Sequence, residues 1–271
     1  MIIINSEKIR TVPNDFRTHL NYVKFLREKS SNITLTCKRK ALKNFAKKPV
    51  ELEKNIRSVK VTKESIDKEY EMIKMHSNYA RYCVSWIAVK SYYLLYYLEL
   101  ILIYLIDGDK NHFEMGHSAI LKIFKNKIAE GILFFNKQIF NEVKPCYDAN
   151  KFRAPSGSNL RSNCPEGIRT NQILRKLAEY KGDEFKRDKK IRDYRKESKR
   201  KKRDDFLKKE KVTLFDFFYL YRIKSNYRDL KFIDQPIPQE SFQDYYEEYY
   251  NLTMNFYSAF EEAINNLATI F

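Results

Sequence analysis

The sequence predicts an all-α protein, an antiparallel helical bundle with a basic N-terminal arm and a basic helical insertion. Three observations carry this expectation. Gly (6) and Pro (7) are scarce in 271 residues, whereas sandwiches, barrels and α/β folds need frequent turn residues. Apolar side chains recur at threes and fours through several long windows, the spacing of a helix face. Hydrophobic residues make up 43% of the chain, with 20 Tyr and 19 Phe, enough apolar area to offset chain entropy over much of its length. The length suits one core carrying insertions.

Residues 1–61 read as the basic N-terminal segment. The start, Met1 to Asn5, is edge-like and too short an apolar run for a signal peptide. Phe16, Leu20, Val23, Phe25 and Leu26 suit one helical face. Over 30–60 the charge turns positive: Lys38, Arg39, Lys40, Lys43, Lys47, Lys48, Lys54, Arg57 and Lys60 are opposed only by Glu51 and Glu53, which predicts a surface arm.

Residues 62–144 read as the first half of the bundle. Thr62 is placed to cap a helix whose first turn holds Glu64 and Asp67. The pattern continues through Ile66, Tyr70, Ile73, Tyr79, Tyr82, Cys83 and Trp86, with a break near Ser77 and Asn78, and predicts two antiparallel helices. The stretch 84–106 is nearly all apolar, close to the roughly 20 residues that span a bilayer. Lys90 and Glu99 lie inside it, and each would cost about 2.5–3.5 kcal/mol at the bilayer centre. The reading is therefore a central bundle helix, wet on one narrow stripe, with no membrane partner. Gly108 stops it. A further helix is predicted over 116–140, with Ile120, Ile123, Phe124, Ile128, Leu133 and Phe134 facing the core.

Residues 145–210 read as a loop followed by a basic helical insertion. Turn residues crowd 145–167, and a basic helix is expected over 169–211. Leu174, Leu177, Tyr180 and Phe185 are among its few apolar positions, so it is expected to project into solvent or onto a partner. Residues 211–271 complete the bundle. Thr213 opens a helix carrying Leu214, Phe217, Phe218, Leu220 and Tyr221, with Asp216 placed to close a capping box. Ser241 and Asp244 suggest a second box before the last helix, where Tyr245, Tyr249, Leu252, Phe256, Phe260, Ile264 and Leu267 recur.

A net charge of +17 makes nucleic acid, RNA in first place, the expected partner. The binding residues expected from the charge blocks are Lys38, Arg39, Lys40, Lys47 and Lys48 in the arm, and Lys186, Arg187, Lys190, Arg195, Lys199, Arg200, Lys201, Lys202 and Arg203 in the insertion. Arg222, Asn226 and Arg228 are expected to line a groove. Cys37, Cys83, Cys146 and Cys164 show no C-x-x-C spacing, which fits a reducing compartment and a cytoplasmic location. Cys146 and Cys164 with His112 and His117 lack the close ligand pairs of structural zinc, so no metal and no cofactor is expected.

Three segments resemble, in order and spacing, parts of the HEPN family (higher eukaryotes and prokaryotes nucleotide-binding domain). The run from Ala88 to Leu98, with Tyr92, Tyr93, Tyr96 and Tyr97, resembles the family's Tyr-rich central helix. Gly116, His117 and Ser118, followed by Ile120 and Phe124, resemble the start of its next helix. Tyr219 to Arg222, followed by Tyr227, Arg228 and Asp229, resembles its Tyr-x-x-Arg signature. The resemblance covers a little over half of the chain and implies a HEPN-like bundle. It also implies metal-independent RNA cleavage by an Arg and a His four to six residues apart, assembled across a homodimer and restrained by a nucleotidyltransferase antitoxin. Arg222 matches that Arg, and the chain departs from the motif where the His should follow: Tyr227 stands there and is the candidate proton donor beside Arg222. His117, at a helix start, is expected to cap or pack. Two main expectations result, beside a third in which a structural or peripheral membrane protein uses the basic arm on anionic lipid. One is an RNA-binding subunit or regulator, in a ribonucleoprotein or a toxin–antitoxin or antiviral defence system. The other is a metal-independent endoribonuclease toxin with a degenerate site.

Overall fold

The computed structural model of the protein describes residues 14–38, 49–153, 164–226 and 237–268. Among them are α1 (Asn14–Lys29), β1 (Leu35–Cys37), α2 (Val50–Met75), α3 (Ala80–Asp107), α4 (His117–Ala129), β2 (Leu133–Phe135), β3 (Lys144–Pro145), α5 (Cys146–Lys151), α6 (Glu166–Asp188), α7 (Glu197–Lys209), β4 (Lys211–Val212), α8 (Asp216–Asn226) and α9 (Gln239–Leu267). The chain is mostly helical, and its two described sheets are antiparallel pairs, β1 with β2 and β3 with β4.

The helix α3 sits at the centre because it is apolar nearly all round and must be covered nearly all round. It packs against α2, α4, α8 and α9. By length and composition it could cross a membrane, but 83% of its most apolar window is buried inside the protein. It forms the predicted hairpin with α2 through a short turn at Ser77–Tyr79, and Gly108, at φ 71°, ends it in the left-handed conformation. The expected wet stripe is not continuous. Lys90 is half-buried and bonds Ser65 and Glu69 of α2, whereas Glu99 is 3% exposed. Burial and the nearby Asp216 push its carboxyl well above the usual carboxylate range, which favours the neutral form.

Beside Glu99 lies an ion pair between Lys125 of α4 and Asp216 of α8, 2.9 Å apart with side-chain exposures of 6% and 3%. Lys125 also donates to the Lys211 carbonyl at 2.8 Å. Asp216 accepts from the Thr213 N–H at 2.8 Å, while the Thr213 hydroxyl accepts from the Phe215 N–H. The expected capping box thus exists, and its carboxylate is also the counter-ion of a buried lysine.

Several expectations are corrected. The expected helical face of the N-terminal segment is present, with Phe16, Val23, Phe25 and Leu26 of α1 buried against α9, but the expected surface arm over 30–60 is not all arm, because residues from Val50 onward belong to α2 and bury Leu52 and Val59. Helix α2 starts at Val50 behind Pro49, with Glu51 and Glu53 in its first turn, so Thr62 lies mid-helix. Leu52, Val59, Ile66 and Ile73 form its buried stripe, a seven-residue spacing that the surrounding lysines obscure. Helix α4 ends at Ala129, because Gly131 adopts φ 67° and its N–H bonds the Ile128 carbonyl while the Ile132 N–H bonds Lys127. Leu133 and Phe134 therefore belong to β2, in register with Cys37 and Thr36 of β1. The basic stretch is two helices, not one, and neither is polar all round: α6 buries Ile173, Leu174, Leu177 and Ala178, and α7 buries Leu207. Helix α5 occupies part of the expected loop. Helix α9 starts at Gln239 behind Pro238, so Ser241 and Asp244 are inside it rather than forming a cap.

Removing one member of a buried pair leaves the other charged and unpartnered. Lys125→Met is expected to lower the unfolding free energy in urea at pH 7 by about 3–5 kcal/mol. Replacing Lys125 and Asp216 together is expected to recover a large share of that loss. A loss in the double variant equal to the sum of the two single losses would show that the pair carries no such coupling.

Candidate nucleic-acid site

The side chains of Tyr92 and Tyr96, and of Tyr93 and Tyr97, are four residues apart on α3 and so share its faces. Tyr92 and Tyr96 turn inward, at 4% and 8% exposure, and Tyr93 and Tyr97 remain half-exposed. Helix α8 brings Tyr219 and Arg222, three apart, against this surface. Gly116 precedes α4 in an extended conformation, and His117 is the first residue of that helix.

The Arg222 guanidinium lies 4.8 Å from the Tyr92 ring centre, 5.4 Å from Tyr219 and 5.8 Å from Tyr93, within cation–π range of three rings. Its Nη1 donates to the Tyr93 hydroxyl at 3.4 Å. Its Nε is buried and has no hydrogen-bond acceptor among the described residues. A buried guanidinium donor without an acceptor costs free energy.

His117 Nδ1 is 3.0 Å from the Tyr92 hydroxyl, and its ring sits 4.2 Å from that of Tyr96. Burial, and then the positive charge of Arg222, lower its pKa below the ordinary histidine value, so the imidazole is neutral at pH 7. Burial raises Tyr96 to about 12 and pushes Tyr92 and Tyr219 up as well. These hydroxyls stay protonated. The Tyr92 hydroxyl and Nδ1 share a hydrogen bond whose direction depends on the imidazole tautomer.

The aromatic surface extends along α3. Tyr82 (72% exposed) and Trp86 (55% exposed) precede Tyr93 and Tyr97 at intervals that keep all four on one helix face. The insertion joins the other side: Lys181 of α6 places its Nζ 4.8 Å from the Tyr219 ring, which Arg222 also contacts. Beyond it, Arg187 donates to the Tyr180 hydroxyl, and Lys190, Arg195, Arg200, Lys201 and Lys202 are exposed while Lys186, Lys199 and Arg203 are half-buried. Arg203 pairs with Asp204 and lies over the Tyr194 ring.

Of the expected site residues, Arg222 and the insertion cations are thus brought onto connected elements. Lys38 is exposed beside β2, 5.1 Å from the Phe134 ring. Arg39, Lys40, Lys47, Lys48, Tyr227 and Arg228 lie outside the described residues, and Asn226 is the last residue of α8. The structure adds His117 as the neighbour of Arg222, a role more specific than the expected packing residue. Its signal was the segment opening at Gly116, which carried no information about distance. Among the described residues no three His, Cys, Asp or Glu side chains are grouped as a metal site requires. Cys146 is fully buried, with its thiol pushed up to about 12. No family model, curated protein or solved structure matches the chain.

Because the folded-state pKa of His117 is depressed, its contribution to stability is complete above the unfolded value of about 6.5 and is lost as pH falls toward the folded value. NMR titration of the imidazole should give a midpoint below 6.5, and Arg222→Gln should raise that midpoint part of the way, with the burial contribution remaining. An unshifted midpoint in the native protein would contradict the geometry.

Proposed function

We propose that this chain is a nucleic-acid-binding protein, with RNA as its ligand class, built on a HEPN-like bundle. It acts as a subunit or regulator, as a homodimer or within a ribonucleoprotein, in the cytoplasm. The setting implied by the resemblance is a toxin–antitoxin or antiviral defence system, with a nucleotidyltransferase antitoxin as a protein partner.

The observation that carries this reading is the convergence of three distant segments. The Tyr-rich run of α3, the His117 start of α4 and the Tyr219–Arg222 pair of α8 meet around a guanidinium that retains an unpartnered donor. Each segment alone is ordinary core patterning. Together they set a phosphate-binding cation at the end of an exposed aromatic stripe, and base stacking on such rings contributes about 1–3 kcal/mol per base. The basic face of α6 and α7 adds charge that tracks a backbone without reading its sequence.

A second reading, a metal-independent endoribonuclease, is favoured by one specific observation: a neutral imidazole oriented by Tyr92 lies next to Arg222. Arg222 would hold the scissile phosphate, and His117 would move the proton. Tyr227 would serve as the motif's substitute donor.

Fluorescence anisotropy with single-stranded RNA at increasing salt tests the first reading. The logarithm of the association constant should fall linearly with the logarithm of salt, by about 0.7 per neutralised phosphate. Arg222→Ala and Trp86→Ala should each weaken binding about tenfold or more, in line with a lost charge-assisted contact or stack. A salt-independent curve would remove the proposal. Incubation with RNA in EDTA tests the second reading: cleavage abolished by both Arg222→Ala and His117→Ala supports it, and intact RNA alongside retained binding eliminates it.

A further inference from the structure

Between α6 and α7 lies a cleft of about 680 Å³, within the range of roughly 300–1,000 Å³ typical of small-ligand sites. Its floor is apolar: Phe185 of α6 and Phe206 of α7 stack with centroids 4.5 Å apart and planes 20° apart, and Ile191 from the connecting turn closes it. Its rim carries Lys189, Lys199, Lys202 and Lys209 against a single carboxylate, Asp205. Asp205 lies 3.9 Å from Lys208, outside the cleft lining. Among the described residues none of the four rim lysines takes part in an ion pair.

Like charges gathered around one hollow repel each other and lower stability until an anion neutralises them. The arrangement is fixed by its surroundings. Helix α6 ends in a turn where Lys190 adopts φ 50°, a left-handed conformation that non-glycine residues seldom take. That turn is pinned by the Ile191 N–H on the Lys186 carbonyl at 2.9 Å and the Lys190 N–H on Arg187 at 3.0 Å. Tyr194 then returns to donate to the Gly182 carbonyl at 3.2 Å. The turn sets Lys189 on the rim and Ile191 in the floor, so the cleft exists before any ligand arrives.

We propose that this cleft binds a nucleotide, with the base against Phe185 and Phe206 and the phosphates held by Lys189, Lys199, Lys202 and Lys209. The aromatic pair, with Ile191, gives the cleft an apolar wall of the kind a base packs against. Adjoining ammonium groups, mobile point charges on flexible stems, match a phosphate chain. The nucleotide is either a free mononucleotide or the phosphorylated end of a strand, which share this chemistry. The proposal does not depend on Arg222 or on the α3 stripe.

The test is calorimetric titration of the full chain with ATP, tripolyphosphate and adenosine, and with short oligonucleotides bearing a 5′-phosphate or a 5′-hydroxyl. Either ATP or the 5′-phosphorylated strand should bind at least tenfold more tightly than its counterpart lacking phosphate. ATP binding with no preference for the phosphorylated strand identifies a free nucleotide, and the reverse identifies a strand end. Lys199→Glu with Lys202→Glu should weaken the preferred ligand at least tenfold. Phe206→Leu, which retains apolar volume, should remove the advantage of ATP over tripolyphosphate, or of a base-bearing end over an abasic 5′-phosphate. Arg222→Ala should leave ATP binding and the ratio between 5′-phosphate and 5′-hydroxyl strands unchanged while weakening RNA binding as a whole, which separates this proposal from the preceding one. Thermal melts confirm that each variant is folded. The proposal is overturned if tripolyphosphate binds as tightly as ATP and the abasic end as tightly as the normal one. It is equally overturned if the variants have no effect on binding, or if neither ATP nor the 5′-phosphorylated strand binds more tightly than its counterpart lacking phosphate.

Discussion

The burial of α3 is the constraint from which the rest of the architecture follows. A helix with so little polar surface must be enclosed, and α2, α4, α8 and α9 are arranged around it. The enclosure has a polar interior point at Glu99, next to Lys125 and Asp216. A buried pair of this kind adds little net stability over apolar residues of the same volume, but its geometry is unforgiving. Lys125 bonds both Asp216 at the start of α8 and the carbonyl of Lys211 in β4. The place where the chain leaves the insertion and re-enters the bundle is thereby fixed by one ammonium group.

The candidate site is the part of α3 that this enclosure leaves uncovered. Tyr92 and Tyr96 are core residues that happen to face α4 and α8, while Tyr93, Tyr97, Trp86 and Tyr82 run along the open edge. Arg222 stands at the boundary, its guanidinium held by rings on one side and one donor left without an acceptor. Burial first, and then the positive charge of Arg222, hold the neighbouring His117 imidazole below the ordinary histidine range, so the cation that would hold a phosphate also favours the neutral imidazole.

Much of the fold was legible in local patterns. The break at Ser77, the stop at Gly108, the Thr213 cap and the long final helix are each written in a few adjacent residues. The misread elements depended on competition between signals. Lysines around Leu52 and Val59 hid a buried stripe, and the Gly131 stop lay within a run whose apolar residues, Leu133 and Phe134, kept helical spacing by coincidence. The basic insertion looked unpackable because its charge outnumbers its apolar residues, yet Ile173, Leu174, Leu177 and Ala178 suffice to seat α6. Of the site, the three segments were visible in order but their meeting was not. Contact between His117 and Tyr92, or Arg222 and Tyr93, is decided by how helices cross, which local spacing does not encode.

Photo-crosslinking of bound RNA, followed by mapping of the modified residues by mass spectrometry, probes the central claim most directly. The account predicts adducts on the α3 edge at Trp86, Tyr93 or Tyr97, together with adducts on α6 or α7. Efficient crosslinking confined to surfaces away from these helices, with the aromatic edge unmodified, would contradict it.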